Sequence, residues 1–381
     1  MKPLRLLKIL TLLAAALLAA FIVGAWAFMN FSPQFGAAQS EGRVQAFKAT
    51  GHYADGKFRN QVPTDMSMRM DRLVPMLRRY YLTSVADKFP PGPLPMVRPD
   101  SALLALRDTA IARVTWFGHS AFLLELGGRK ILFDPMFGQV PAPLPFLSTA
   151  RFNPVLPIEP EALPHLDAIV LSHDHYDHLD RGSILKLMGK TDRFYAPLGV
   201  GAHLERWGVD GNRIKELDWG DSTGFEGVSL FCAPARHFSG RALRDNSSTL
   251  WASWVIKAGG RTVYFSGDSG YGPHFREIGR LYGPFDLALV ECGQYDAQWP
   301  AIHMRADEAV QAARELGAKL MIPIHWGAFA LALHSWYEPA RSVSEKARVA
   351  GMPVAIPRIG EAVDIGGGAL PDSVWWPTGR R

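Results

Sequence analysis

Leu171-Ser172-His173-Asp174-His175-Tyr176-Asp177-His178-Leu179-Asp180 follows the apolar run Ala168-Ile169-Val170. The apolar run reads as a buried strand, which would deliver the polar cluster to the edge of a sheet. The cluster holds three histidines and three aspartates within eight residues. Imidazole and carboxylate suit zinc and its neighbours. On an extended loop His173 and His175 point the same way, so one metal can take both. Asp177 and His178 come one turn later, where a helix begins near Asp180, and can address a second metal.

The missing ligands are sought at other strand ends. The pattern predicts strands at Arg113–Phe117, Ala121–Leu126, Lys130–Phe133, Asp167–Leu171, Phe194–Pro197, Val228–Ala233, Leu250–Lys257, Arg261–Ser266, Asp286–Val290 and Lys319–Ile324. Gly127-Gly128 and Gly259-Gly260 read as hairpin turns. Helices are expected at Arg181–Met188, Val200–Trp207 and Arg305–Leu316. His237, Asp268 and His325 each stand just after a predicted strand. Ligands placed so converge on one edge of a sheet. Any one alone is a weak signal; three of them, after His-x-His-x-Asp-His, are a strong one. Gly138–Pro164 carries seven prolines among few charges and reads as an ordered loop near the site.

At 381 residues, with 48% hydrophobic and 20% charged residues, the chain can bury a sizeable core. Its net charge of +5 is scattered, with no Lys/Arg block, so nucleic-acid binding is not suggested. Cys232 and Cys292 are too few for a disulfide framework and read as buried free thiols. Oligomeric state leaves no mark in the sequence.

The chain divides into four stretches. Residues 1–29 carry Lys2, Arg5 and Lys8, then an uncharged apolar run from Ile9 to Phe28, about 20 residues long and able to span a bilayer. It is either an uncleaved signal anchor or a signal peptide cut near Ala25-Trp26-Ala27. The basic end should stay cytoplasmic. The rest would then lie in the periplasm or outside, tethered to the inner membrane, or secreted after cleavage. Residues 30–110 read as an extension ending in the stiff linker Phe89–Pro95. A helix from about Asp65 to Leu82, capped by Thr64, would place Met66, Met70, Leu73, Leu77 and Tyr80 on one face. Arg69, Arg72, Arg78 and Arg79 flank that face. The helix either lies on anionic lipid or packs on the main domain. Residues 111–370 are the catalytic domain and 371–381 a tail.

The histidine cluster and its outlying partners resemble the metallo-β-lactamase superfamily of hydrolases, over residues 112–365. The resemblance implies an α+β fold, a four-layer αβ/βα sandwich with two sheets back to back. It implies that His173, His175 and His237 hold one metal, that Asp177, His178 and His325 hold a second, and that Asp268 bridges them. Asp134, in Phe133-Asp134-Pro135, matches an acidic residue that orders the metal loop from behind. An aspartate bridge with no cysteine at the site argues against β-lactam cleavage.

A narrower match is to N-acylphosphatidylethanolamine-hydrolysing phospholipase D. It rests on Leu171–Asp180, Ile322–Ala332, Trp116-Phe117-Gly118-His119-Ser120 and Glu338-Pro339. His303, in Ile302-His303-Met304, matches a pocket histidine of that family. Ala306 departs from its usual proline, and Gln294–Pro300 is shorter than its counterpart and should line the pocket. The implied reaction is phosphodiester hydrolysis of such lipids by a hydroxide bridging two zinc ions, with iron or manganese as alternatives. Asp177 would orient the nucleophile and His303 would give a proton. The alternative is a lactone or ester hydrolase on the same centre, since sugar-lactone hydrolases share several of these motifs. A non-catalytic metal-binding scaffold is a third class, disfavoured by the full ligand set. His119 is read as ordering backbone, and the direction of His334 is open. His52, His165, His203 and His274 have no supporting context. Substrates would be phospholipid or a small ester, with membrane association.

Overall fold

The computed structural model describes residues 2–64, 78, 82–242, 245–368, 370, 371 and 374–376. The helix expected over Asp65–Leu82 lies outside these residues, apart from Arg78 and Leu82. The chain opens with α1 (Lys2–Phe31), α2 (Glu41–Lys48), a small hairpin of β1 (Tyr53–Ala54) and β2 (Lys57–Phe58), and α3 (Ser101–Ala105).

Two sheets follow. β3 (Ala112–Trp116), β4 (Phe122–Leu126), β5 (Arg129–Phe133), β6 (Leu166–Val170), β7 (Thr191–Pro197) and β8 (Ile214–Leu217) form the first. The second holds β9 (Ser222–Phe225), β10 (Val228–Ala233), β11 (Ser253–Ala258), β12 (Arg261–Phe265), β13 (Leu287–Glu291) and β14 (Met321–Ile324). A last strand, β15 (Ala362–Asp364), returns to the first sheet. Strand orders are β15-β3-β4-β5-β6-β7-β8 and β14-β13-β12-β11-β10-β9. Each sheet is antiparallel over its hairpins and parallel beyond β5 or β12. The hairpin turns Gly127-Gly128 and Gly259-Gly260 have positive φ at both residues, the conformation a two-residue turn needs.

The facing surfaces of the sheets make the core. Phe122 and Phe133 stack at 4.5 Å, and both meet Phe265 of the second sheet edge-on, at 5.1 and 5.4 Å. Leu132, Leu166, Ile169 and Phe194 look the other way and meet Ile184 and Leu187 of α4 (Arg181–Leu187) and Leu204 of α5 (Gly201–Arg206). α6 (His274–Tyr282), α7 (Ala306–Glu315) and α8 (Glu338–Ala350) contribute Phe275, Ala309 and Val343 to the large core from outside the second sheet. The layers are therefore helix, sheet, sheet, helix. β4, β6 and β13 are buried on both faces and are accordingly mostly apolar, with Glu125, Asp167 and Glu291 as their charged residues.

Three differences from the sequence expectation have local causes. β11 starts at Ser253 rather than Leu250, because Leu250 N–H goes to Leu198 O and Ala252 N–H to Ser172 O. Those bonds tie the chain to the first sheet's loops instead of to its own strand. β8 and β9 stand at sheet edges and mix polar with apolar residues, so neither gives a clean pattern. α8 begins with Glu338-Pro339, a pair whose proline suits a first helical turn. Both cysteines are free and buried, as expected.

α1 is exposed along its apolar window and touches the rest of the chain at its end, where Arg206 donates to Phe31 O at 3.1 Å; Arg5–Phe31 has the length and composition to cross a membrane. This fits an anchor or a signal alike. The segment after it is docked. Trp207 Nε1 donates to Pro33 O at 2.7 Å and Gln39 Nε2 to Gly199 O at 2.9 Å. Arg43 pairs with Glu205 at 2.8 Å and with Glu216 at 2.5 Å.

Candidate metal centre

β6 ends at Val170, and the chain leaves the sheet edge into the histidine loop. Asp134, just beyond β5, receives it. Its Oδ1 accepts from Ser172 N–H at 2.7 Å. Its Oδ2 accepts from the Ser172 hydroxyl at 2.5 Å and lies 2.6 Å from His178 Nδ1. Ser172 Oγ is also 2.9 Å from His173 Nδ1. With Nδ1 engaged on both rings, Nε2 is the nitrogen that each offers the centre.

Asp174 faces away from the centre. Its carboxylate accepts from Gly240 N–H at 2.7 Å and the Thr249 hydroxyl at 2.8 Å, and lies 3.2 Å from His203 Nε2. His203 Nδ1 accepts from Ala37 N–H at 2.9 Å, so its proton sits on Nε2, toward Asp174. Arg241 Nη1 donates to Asp174 O and Leu179 O at 2.6 and 2.8 Å. Its guanidinium also lies 3.9 Å over the Tyr176 ring and bonds Gln34 O. The segment after α1 is thereby fastened to the back of the histidine loop.

The second sheet supplies single residues after β10, β12 and β14. His237 Nδ1 is 3.1 Å from Ile302 O, which leaves Nε2 inward, 3.3 Å from His175 Nδ1. His173 Nε2 is 2.8 Å from the same His175 atom. Asp268 sits between the groups. Its Oδ2 lies 3.1 Å from His178 Nε2, 3.6 Å from His237 Nε2 and 3.8 Å from His173 Nε2. Its Oδ1 is 3.1 Å from His325 Nδ1. Asp177 Oδ2 lies 3.6 Å from His178 Nε2 and 2.8 Å from His119 Nε2. Among the described residues three sets bring one donor atom each within 4.8 Å: His173, His175, His237 and Asp268; His119, Asp177, His178 and His325; Asp268, His303 and His325. All seven ligands expected from the sequence are thus brought together.

The electrostatics suit cations. Burial pushes His173, His237 and His325 well below the ordinary 6.5, and His119 and His175 down to about 4. These rings are neutral at neutral pH, with lone pairs to give. Burial also drives Asp268 up to about 6. Burial works against charge on His178 and Asp177, but the aspartates facing His178 and the histidines facing Asp177 outweigh it. His178 Nε2 and Asp268 Oδ1 are buried without hydrogen-bonding geometry to any partner. Converging neutral imidazoles, two carboxylates and these orphaned atoms are a donor set fitted to two divalent ions.

The backbone is strained at this edge. His119, Asp134 and His325 have φ of +54°, +37° and +69°, costing roughly 1–3 kcal/mol each for non-glycine residues. His119 and His325 hold each other across the sandwich. His119 N–H donates to Trp326 O and His325 N–H to His119 O, at 2.8 and 2.9 Å. His119 is tied to the His325 segment through its backbone, and its side chain lies 2.8 Å from Asp177 Oδ2.

His303 stacks on His325 with ring centroids 5.0 Å apart. His334 accepts from Gln294 N–H at 3.0 Å and stacks on Tyr295, so it braces the Gln294 turn. Arg151, from the proline-rich loop, lies 4.6 Å over Phe329, itself 5.5 Å from His119. That loop is one wall of the site. Sequence reading missed Ser120, Arg151, Asp174, His203, Arg241 and Glu291. Ser120 and Asp174 lie inside quoted motifs and Glu291 closes an apolar strand; the others gave no signal.

A family described as the beta-lactamase superfamily domain matches residues 129–326. The chain belongs to the metallo-β-lactamase superfamily. An uncharacterized protein of Mycobacterium tuberculosis is 41% identical over 330 residues, covering 85% of this chain and 87% of the relative. The N-acyl-phosphatidylethanolamine-hydrolyzing phospholipase D 1 of Caenorhabditis elegans is 35% identical over 244 residues, covering 61% and 68%. The solved structure of a metallo hydrolase of Ignicoccus hospitalis shares the superfamily fold, with a TM-score of 0.51 and 22% identity, covering 68% of this chain and all (100%) of that one. As a metallo-β-lactamase-fold protein with this ligand set, the chain is a metal-dependent hydrolase.

Proposed function

We propose that this hydrolase is a phosphodiesterase of phospholipase D type, using two zinc ions on N-acylphosphatidylethanolamine-like lipids at a membrane surface. The observation that carries the reading is His303 beside the seven-ligand cluster, in a chain 35% identical to a phospholipase D that cleaves such lipids. In this reading His173, His175 and His237 would hold one ion and Asp177, His178 and His325 the other, with Asp268 available to both. Bound there, two divalent ions would supply an activated water and offset charge on the attacked phosphoryl group. Asp177, gripped by His119, orients that water. Its oxygen joins phosphorus as the bond to the N-acylethanolamine oxygen breaks. His303 gives the departing alkoxide a proton, a contribution of about 10²–10⁴-fold. Phe329 and Arg151 shield one side from solvent. An uncleaved α1 would hold the catalytic domain at the outer face of the inner membrane.

The test is product analysis with zinc-loaded full-length protein. N-acylphosphatidylethanolamine, phosphatidylethanolamine, a generic phosphodiester and a lactone panel are offered, with His175→Ala as control. Phosphatidic acid released from the first lipid, and absent with the variant, is the expected result. Lactone opening with no phosphatidic acid would move the function to ester chemistry on the same centre.

A further inference from the structure

β13 is apolar through Leu287-Ala288-Leu289-Val290 and then ends on Glu291, whose side chain is fully buried. A carboxylate in that position is costly unless something uses it. Glu291 Oε1 accepts from Met304 N–H at 2.8 Å and lies 3.5 Å from His303 Nδ1. Glu291 Oε2 and His303 Nδ1 are both buried, and neither has a hydrogen-bond partner. The buried carboxyl group and the orphaned ring nitrogen are therefore neighbours, with Oε1 3.5 Å from Nδ1. The ring also stacks on His325, and one of its nitrogens lies within 4.8 Å of donor atoms of Asp268 and His325. A histidine's working nitrogen is set by what its other nitrogen bonds.

We propose that Glu291 is the positioning residue for His303: its buried carboxyl group donates an O–H to Nδ1, which leaves the ring proton on Nε2, toward the metal centre and the departing group. Glu291 touches neither substrate nor ion in this account; it acts through His303. The proposal rests on the reading of His303 as the proton donor.

The test is a double-mutant cycle on the zinc-loaded full chain, read with a chromogenic phosphodiester or with whichever lipid or lactone the protein turns over. Glu291→Leu suits the apolar pattern of β13. It should lower kcat by about 10–100-fold with KM and metal content unchanged. Glu291→Gln, which keeps an acceptor for Met304 N–H and a partner for Nδ1, should recover part of the loss. In a His303→Ala background Glu291→Leu should add less than about twofold. Long-range proton–nitrogen NMR should give one ring tautomer for His303 in the parent and a mixture in Glu291→Leu. Equal losses in both backgrounds, or an unchanged tautomer signature, would overturn the proposal. If Glu291→Leu does not fold, Glu291→Gln carries the same cycle: a loss confined to the His303 background supports the proposal, and a loss in both overturns it. If His303→Ala leaves turnover unchanged, the proton-donor reading fails by itself. The tautomer spectrum then decides whether Glu291 still holds the ring.

Discussion

The first sheet delivers its candidate ligands on one loop; the second delivers them from three separate strand ends. The loop is braced from behind at every turn. Asp134 and Ser172 fix His173 and His178, and Asp174, His203 and Arg241 pin the stretch between. The strand ends have thinner support. His237 leans on Ile302 O, and His325 on Ser120 Oγ at 3.2 Å and on backbone shared with His119. One half of the centre is thus held by more side-chain contacts than the other. The second half depends on how the sheets pack, so the two should answer mutation differently.

The largest effect should come where the halves meet. Asp268 alone has one oxygen near His173, His178 and His237 and the other near His325. Asp268→Ala should bring turnover to background and lower bound metal, measured by elemental analysis. Retained metal and activity would break the idea that Asp268 joins the halves.

Bracing comes next. Asp134→Ala removes three bonds to the loop and should lower metal affinity or activity by about 10–100-fold. Ser120→Ala removes one contact to His325 and should cost less, with folding intact by circular dichroism. The reverse order would invert the comparison.

The smallest effect is on metal-free stability against pH. Burial lowers His119 and His175 from 6.5 to about 4. Between these values the unfolded chain binds protons that the folded chain excludes, so stability rises with pH there. Full at pH above 6.5, this contribution should be lost as pH falls toward 4, seen as a falling melting temperature. Metal should shift the profile upward, because binding to the folded state alone stabilises it. A melting temperature flat across this window would contradict the buried neutral histidines.

The same contrast explains what could be read in the sequence. Histidines and aspartates packed into eight residues announce themselves, and so do apolar strands followed by His237, Asp268 or His325. The strands and glycine-pair turns could be read from the residues, and the four-layer sandwich was implied by the family resemblance that the histidine motif carries. His203 and Arg241 could not be found this way. Their partners, Asp174 and Gln34, lie far off in sequence, and nothing local marks a histidine in a short helix as a brace. Arg151 was hidden by its irregular loop, where no periodicity says which way a side chain turns. Glu291 was visible as an acid closing an apolar strand, but its use depends on His303 arriving from another loop.

The most direct measurement is metal stoichiometry on the purified full-length chain after gel filtration in metal-free buffer. The account predicts two equivalents of divalent metal per chain, with Asp268→Ala holding fewer. One equivalent or none in the parent protein, with folding intact, would contradict a centre shared between the two sheets.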